Sequence, residues 1–351
     1  MLTHDALELF GSYKSAAKKP ADFDTFWDLS LREIDGLVAD FSKIEKQKID
    51  IASNVADFYS LYFTGAGGAR LHCQFVSPKN ATSPIGASEE GASEKKHPVM
   101  LQFHGYHSDC GDYTDKVALA AEGFYVFALD IRGQGGKSED TLVTKGGTLK
   151  GLIIRGVEDG KEKLYYRNVF LDTALLARIA FSAPNVDERN VYVQGVSQGG
   201  ALSLACAALE PRVSKAFVQY PFLSDYREAF RQNVLVSAYE ELAYYFRFRD
   251  PLHLTEEKFF ETLDYIDIQF LAQRITASVI WGIALEDTSC PPKTQFAVYN
   301  NLTQAAKKTM LFYPEYAHEY LPRYADAVRP YMLDFSGETA DDTLFRVSQT
   351  K

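Results

Sequence analysis

From residue 98 onward the chain repeats one pattern, a short apolar run followed by a longer stretch with helical spacing. The runs are PVMLQFHG, FYVFALDIRG, NVYVQG, KAFVQYPF, ASVIWGIA and KTMLFYP. Between them apolar residues recur at helical intervals, as at Val169, Leu171, Leu175, Leu176 and Ile179, and again from Ala201 to Leu209. Parallel strands need crossovers long enough to hold a helix, so this alternation predicts a largely parallel sheet covered by helices on both faces. Upstream, DFYSLYFTGAGGARLHCQFVSP sets glycines between two β-rich runs, which predicts an antiparallel hairpin ahead of the parallel strands. The expected fold class is α/β, with a mostly parallel central sheet flanked by helices.

Two stretches depart from the alternation. Residues 79–97, KNATSPIGASEEGASEKKH in the main, hold almost nothing to bury and read as a polar surface loop inside the domain, since the strand pattern resumes directly afterwards. Residues 222–276 are helical in pattern, rich in Tyr and Phe, and interrupt the strand series, so they are expected to form a helical cap over the sheet. With an N-terminal extension, residues 1–351 then make one domain, a size at which a large core is readily buried.

The net charge of −10 offers no field to gather nucleic acid or anionic lipid, and no apolar run reaches the roughly 18 residues that a membrane-spanning helix needs. The beginning of the sequence lacks the features of a secretory leader, so a soluble, cytoplasmic protein is expected. Cys73, Cys110, Cys206 and Cys290 show no paired spacing, and the seven histidines form no H-E-x-x-H pattern. Free thiols and no bound metal are expected.

Chemistry enters at VYVQGVSQGG. Gly195-Val196-Ser197-Gln198-Gly199 fits G-x-S-x-G, follows a β-rich run and precedes an alanine-rich helix. That context makes a tight strand-to-helix turn: Ser197 is forced into a strained conformation, the glycines clear the approach of strand and helix, and the helix N-terminus faces any developing oxyanion. A serine hydroxyl needs a base, and on such a scaffold the order is serine, acid, histidine. Only His253 and His318 follow Ser197. His253 lies inside the cap segment, whereas His318 follows the run TMLFY on a loop leaving a strand, which makes His318 the candidate base. The strand of ASVIWGIALEDTSCPP carries Glu286 and Asp287 on its exit loop; Asp287 is preferred because its shorter side chain fixes the imidazole with less freedom, with Glu286 as the alternative. The main-chain N–H of Gln198 supplies one oxyanion donor, and that of Tyr106, in LQFHGYHSD, the other. His104 and His107 in the same loop are assigned to packing or substrate contact.

Taken together, Arg132-Gly133-Gln134 in LDIRGQGG, the G-x-S-Q-G at Ser197 and His318-Glu319 resemble the acetyl xylan esterase and cephalosporin C deacetylase group, carbohydrate esterase family seven, of the α/β-hydrolase fold. ADFDTFWDLSL, RGVEDGKEKLYYRNVFLD, YYFRFRDP and EDTSCPPKTQFAVYNN look alike too, so the resemblance runs from about residue 19 to 333. It implies a nucleophile at Ser197, an acid at Asp287, a base at His318 and oxyanion donors at Tyr106 and Gln198. It implies acetylated oligosaccharides and cephalosporin C as substrates, no cofactor, and a homo-oligomer, a hexamer with inward-facing sites. Two departures stand out: Val196 where glycine is common, and the 79–97 loop. The other readings open at this stage are a broader short-chain carboxylesterase or peptidase on the same fold, and a catalytically silent oligomeric binding scaffold.

Overall fold

The computed structural model describes residues 3–37, 39–79, 95–145, 151–232 and 239–335. Nine strands form one sheet: β1 (Glu45–Ile49), β2 (Ala56–Thr64), β3 (Arg70–Pro78), β4 (His97–Phe103), β5 (Tyr125–Leu129), β6 (Val186–Val196), β7 (Lys215–Gln219), β8 (Ser278–Ala284) and β9 (Lys308–Tyr313), in the order β1-β2-β3-β5-β4-β6-β7-β8-β9. The first three strands and β5 pair antiparallel, and β2 and β3 are the hairpin expected from the glycine-marked turn. From β5 across to β9 every neighbour is parallel. The polar stretch 79–97 falls mostly on residues 80–94, outside the described residues. Its far end belongs to β4 instead: His97 is buried, and its Nδ1 bonds the Gly123 carbonyl at 2.9 Å.

Eleven helices accompany the strands among the described residues: α1 (Thr3–Phe10), α2 (Phe23–Asp35), α3 (Val117–Ala121), α4 (Tyr165–Phe181), α5 (Gln198–Leu209), α6 (Tyr226–Arg231), α7 (Glu240–Phe248), α8 (Glu256–Leu263), α9 (Ile268–Leu271), α10 (Pro292–Asn300) and α11 (Tyr324–Leu333). Helix α5 is built almost wholly of small and aliphatic residues and is buried along its length, which lets its backbone come close to the sheet. Helix α4 shows why periodicity understates a central helix. Its polar residues apart from Arg178 are buried as well, and Asp172 is held there by two bonds from the Arg132 guanidinium, at 2.6 and 2.8 Å. Helices α6 to α9 occupy the passage from β7 to β8, with residues 233–238 outside the described set. The N-terminal segment leans on this insertion: Tyr13 and Ser15 donate to Asp225 at 2.9 and 2.7 Å, and Trp27 donates to the Tyr265 carbonyl at 3.0 Å.

The chain leaves β4 for β5 on one side and later returns to place β6 on the other. Loops after β4 and β6 therefore diverge and open a crevice at the carboxyl end of the sheet, where ligands of open α/β sheets bind. Ser197 follows β6, and Gly105 and Tyr106 follow β4.

Candidate active site

Ser197 sits at φ 57°, ψ −118°, a strained conformation for a residue with a side chain. Its surroundings impose it. A Cβ added to Gly199 would lie 2.0 Å from the Phe103 carbonyl oxygen, and one added to Gly195 would lie 2.3 Å from the backbone of Gly199. Strand β6, helix α5 and the end of β4 thus meet backbone to backbone, and the chain can turn only at the serine. The turn is pinned on both sides, by Ser197 N–H to the Gln219 carbonyl at 3.0 Å and by Phe222 N–H to the Ser197 carbonyl at 3.2 Å. Val196 does not crowd it, since its side chain is 37% exposed on the far side of the strand.

The loop after β4 faces this turn. Gln198, fully buried, holds it from below: its amide nitrogen donates to the His104 and Gly105 carbonyls, both at 3.3 Å. Its amide oxygen accepts from Tyr166 at 2.8 Å and from Gln134 at 2.9 Å. Gln134 in turn accepts from the His107 N–H at 2.8 Å. The glutamine of the Arg-Gly-Gln trio therefore sets the loop's height against the serine turn. Arg132, by contrast, is buried on Asp172 and the Ala66 carbonyl, away from the crevice. His104 accepts the Ile131 N–H at Nε2 (2.9 Å) while Nδ1 faces the Gly105 carbonyl (2.7 Å), an arrangement that suits the neutral imidazole; burial lowers its pKa in the same sense. Among the described residues, neither the Tyr106 nor the Gln198 main-chain N–H has a hydrogen-bond acceptor.

The Tyr106 side chain is tied down separately. Its phenol donates to the Glu241 carboxylate on α7 and accepts the Leu152 N–H at 3.1 Å, and the other Glu241 oxygen accepts the Ile153 N–H at 2.7 Å. Burial pushes the Glu241 carboxyl up to about 7 even though these donors pull it down.

His318 and Asp287 arrive on the loops after β9 and β8. Their side chains meet at 2.8 Å, from Nδ1 to Oδ2, with Asp287 fully shielded and His318 29% exposed. The other Asp287 oxygen accepts the Ser289 and Cys290 N–H groups, both at 2.8 Å, which fixes the carboxylate. Glu286 is exposed and bonds through its N–H to the Tyr316 carbonyl, so the structure brings Asp287 rather than Glu286 to the imidazole. The Tyr220 ring lies 4.7 Å from that of His318, and its hydroxyl anchors the Glu319 carbonyl at 2.7 Å. His253 is elsewhere, stacked on Phe246.

Ser197 and His318 are not hydrogen-bonded to each other among the described residues; the serine hydroxyl lies 4.0 Å from Cys290 Sγ. Catalytic hydrogen bonds often close only around a substrate, and a serine changes rotamer at little cost. Cys290 is buried, and burial raises its thiol pKa well above the ordinary value, so it stands beside the serine as a small neutral side chain. Gln134, expected as fold support near the site within the Arg-Gly-Gln trio, ties the loop after β4 to Gln198, whereas nothing in the sequence marks Cys290 or Glu241 as part of the site. Asp287, Cys290 and His318 offer ligand atoms within 4.8 Å of one another, as do His72, Cys110 and Asp130. In both groups the histidine and carboxylate are already bonded to each other.

This sheet, with its serine turn at the switch point, defines an α/β-hydrolase. Residues 1–335 match the family model described as acetyl xylan esterase (AXE1). The chain belongs to that family of esterases. It superposes on acetyl xylan esterase 1 from Thermoanaerobacterium sp. JW/SL YS485 with a TM-score of 0.85 and 43% identity, over 95% of this chain and 98% of that one. For the acetyl xylan esterase from Paenibacillus sp. R4 the values are 0.83 and 31%, over 95% and 99%. A curated relative, acetyl esterase Axe7A of Xylanibacter ruminicola, is 29% identical over 85% of this chain, and the match spans 63% of that protein's length.

Proposed function

We propose that the protein is a serine esterase that removes acetyl groups from acetylated xylo-oligosaccharides. The observation that carries this reading is the His318–Asp287 pair held at 2.8 Å beside a serine at a strained strand-to-helix turn. Ser197 Oγ attacks the acetyl carbonyl while His318 Nε2 takes the hydroxyl proton. Asp287 holds Nδ1–H and stabilises the imidazolium, and the N–H groups of Tyr106 and Gln198 receive the oxyanion. The intermediate collapses as His318 returns the proton to the departing sugar oxygen, leaving an acetyl-serine. Water, deprotonated by His318, attacks that ester, and acetate leaves as Ser197 regains its proton. These steps call for no cofactor.

The names of the two esterase structures support xylan as the substrate. Family resemblance extends the reading to cephalosporin C and to a hexameric assembly; among the described residues no helix is long and apolar enough to cross a membrane. The helices between β7 and β8 act as a cap on a single domain. The test is acetate release from acetylated xylo-oligosaccharides by the parent protein and by Ser197→Ala. A loss of about 10⁴-fold or more is expected, and a substituted protein as active as its parent would end this reading.

A further inference from the structure

Three adjacent strands in the middle of the sheet each carry one glutamine near the carboxyl end: Gln102 on β4, Gln194 on β6 and Gln219 on β7. Register puts them on one face. Gln102 pairs with Gln194, and Gln219 pairs with Val196, two residues beyond Gln194 on the same side of β6. Central parallel strands are ordinarily apolar on both faces. Here the three amides are half-buried and, among the described residues, have no hydrogen-bond partner. They face a cavity of about 410 Å³ whose far wall is Tyr324, Ala325 and Val328, at the start of α11. The row continues in register through Ala128 of β5 to Gln74 of β3, 7% exposed, whose Oε1 is also without a partner.

Amides that open onto a cavity with no protein partner are free to bond a polar ligand that enters it. We infer that this cavity is a binding site for a neutral sugar residue, separate from the Ser197 crevice and set behind it. Each amide offers one acceptor and two donors, and a sugar hydroxyl is both at once. Phe217, two residues before Gln219 and on the same face of β7, gives the cavity an apolar wall for the carbon face of a pyranose ring. No lysine or arginine lines it, and the one charged side chain is Asp109, which disfavours anions. The volume falls in the range of small-molecule pockets.

Location gives the site a purpose. Gln194 precedes Ser197 by three residues, roughly 10 Å along the strand, and the cavity wall includes His104 and Gly105, which lead directly into Tyr106. Val196, the residue that departs from the family's usual glycine, lies on that wall with its side chain partly exposed. A sugar held there rests against the back of both backbone turns that face the crevice. That the sugar is xylan-derived rests on the proposed function; that the cavity takes a neutral polyol does not.

The experiment is calorimetric titration of unacetylated xylobiose into the full-length Ser197→Ala protein. Saturable binding with a millimolar Kd is expected, with D-glucuronate at least about tenfold weaker. Adding Gln102→Leu with Gln194→Leu should weaken xylobiose by at least about tenfold, since two amide partners go. Val196→Trp, at a partly exposed position that tolerates a larger side chain, should block the cavity to the same degree, and thermal melting shows which variants are folded. The proposal falls if Ser197→Ala shows no saturable binding, if glucuronate binds as well as xylobiose, or if either folded pocket variant binds like its parent. Xylobiose binding of this kind, with no acetate released from acetylated xylo-oligosaccharides by the parent protein, would overturn the proposed function alone.

Discussion

Glu241 and Tyr106 are 135 residues apart in the chain, yet the phenol of one donates to the buried carboxylate of the other, across the junction between the β7–β8 insertion and the loop after β4. Because Leu152 and Ile153 donate to the same pair, one carboxylate gathers three segments at the point where a main-chain N–H is proposed to meet the oxyanion.

Removing the phenol should therefore loosen the loop without touching the triad. Tyr106→Phe is expected to lower kcat on p-nitrophenyl acetate by about tenfold while KM changes less than about threefold, part of the effect of losing a whole oxyanion donor. Glu241→Gln, which keeps an acceptor, should be milder than Glu241→Leu. Steady-state kinetics at pH 8 on all three variants checks the order.

The same carboxylate should make stability depend on pH. Burial holds Glu241 at about 7, above its usual 4.5, among Tyr106, Tyr166, Tyr226 and the N–H groups of 152–154. The folded protein then keeps a proton that the unfolded chain releases, so this contribution is fully present below about pH 4.5 and is lost as pH rises through about 7. Denaturant unfolding should show the parent losing on the order of 3 kcal/mol relative to Glu241→Gln across that window.

Arg132 is expected to matter for stability rather than for chemistry. Its guanidinium grips Asp172, which burial drives toward neutrality and Arg132 holds back. Arg132→Met strands that carboxyl and should cost about 3–5 kcal/mol in unfolding free energy. A change below about 1 kcal/mol, within the range of ordinary surface substitutions, would contradict this.

At the serine turn the obstacle to a side chain is backbone. Gly199→Ala places a methyl 2.0 Å from the Phe103 carbonyl, so β4 and β6 must separate at the crevice. The substitution should destabilise by at least about 3 kcal/mol and abolish activity, and thermal melting followed by an esterase assay on the folded fraction reads both.

Strand alternation made the parallel sheet legible, and the glycines around Ser197 made the turn legible, because both depend on local chain geometry. His318 and Asp287 could be placed because strand exits put them on one edge. Gln134 could be marked as support near the site by its trio but not given its partners, and Glu241 and Cys290 could not be placed at all. A buried carboxylate or amide has the residue type of a surface position, and only its partners, distant in sequence, reveal it. The glutamine row lies between these cases: LQF, VQG and VQY each break an apolar run at the same place, but only register turns three interruptions into one face.

The insertion leaves the sheet after β7 and rejoins it at β8, two neighbouring parallel strands. Evolution can thus exchange these helices for others without rethreading a single strand, and what the enzyme accepts can drift independently of how it reacts. What a replacement must still carry is an acid for Tyr106 and partners for the N-terminal segment, as Asp225 and Tyr265 are here.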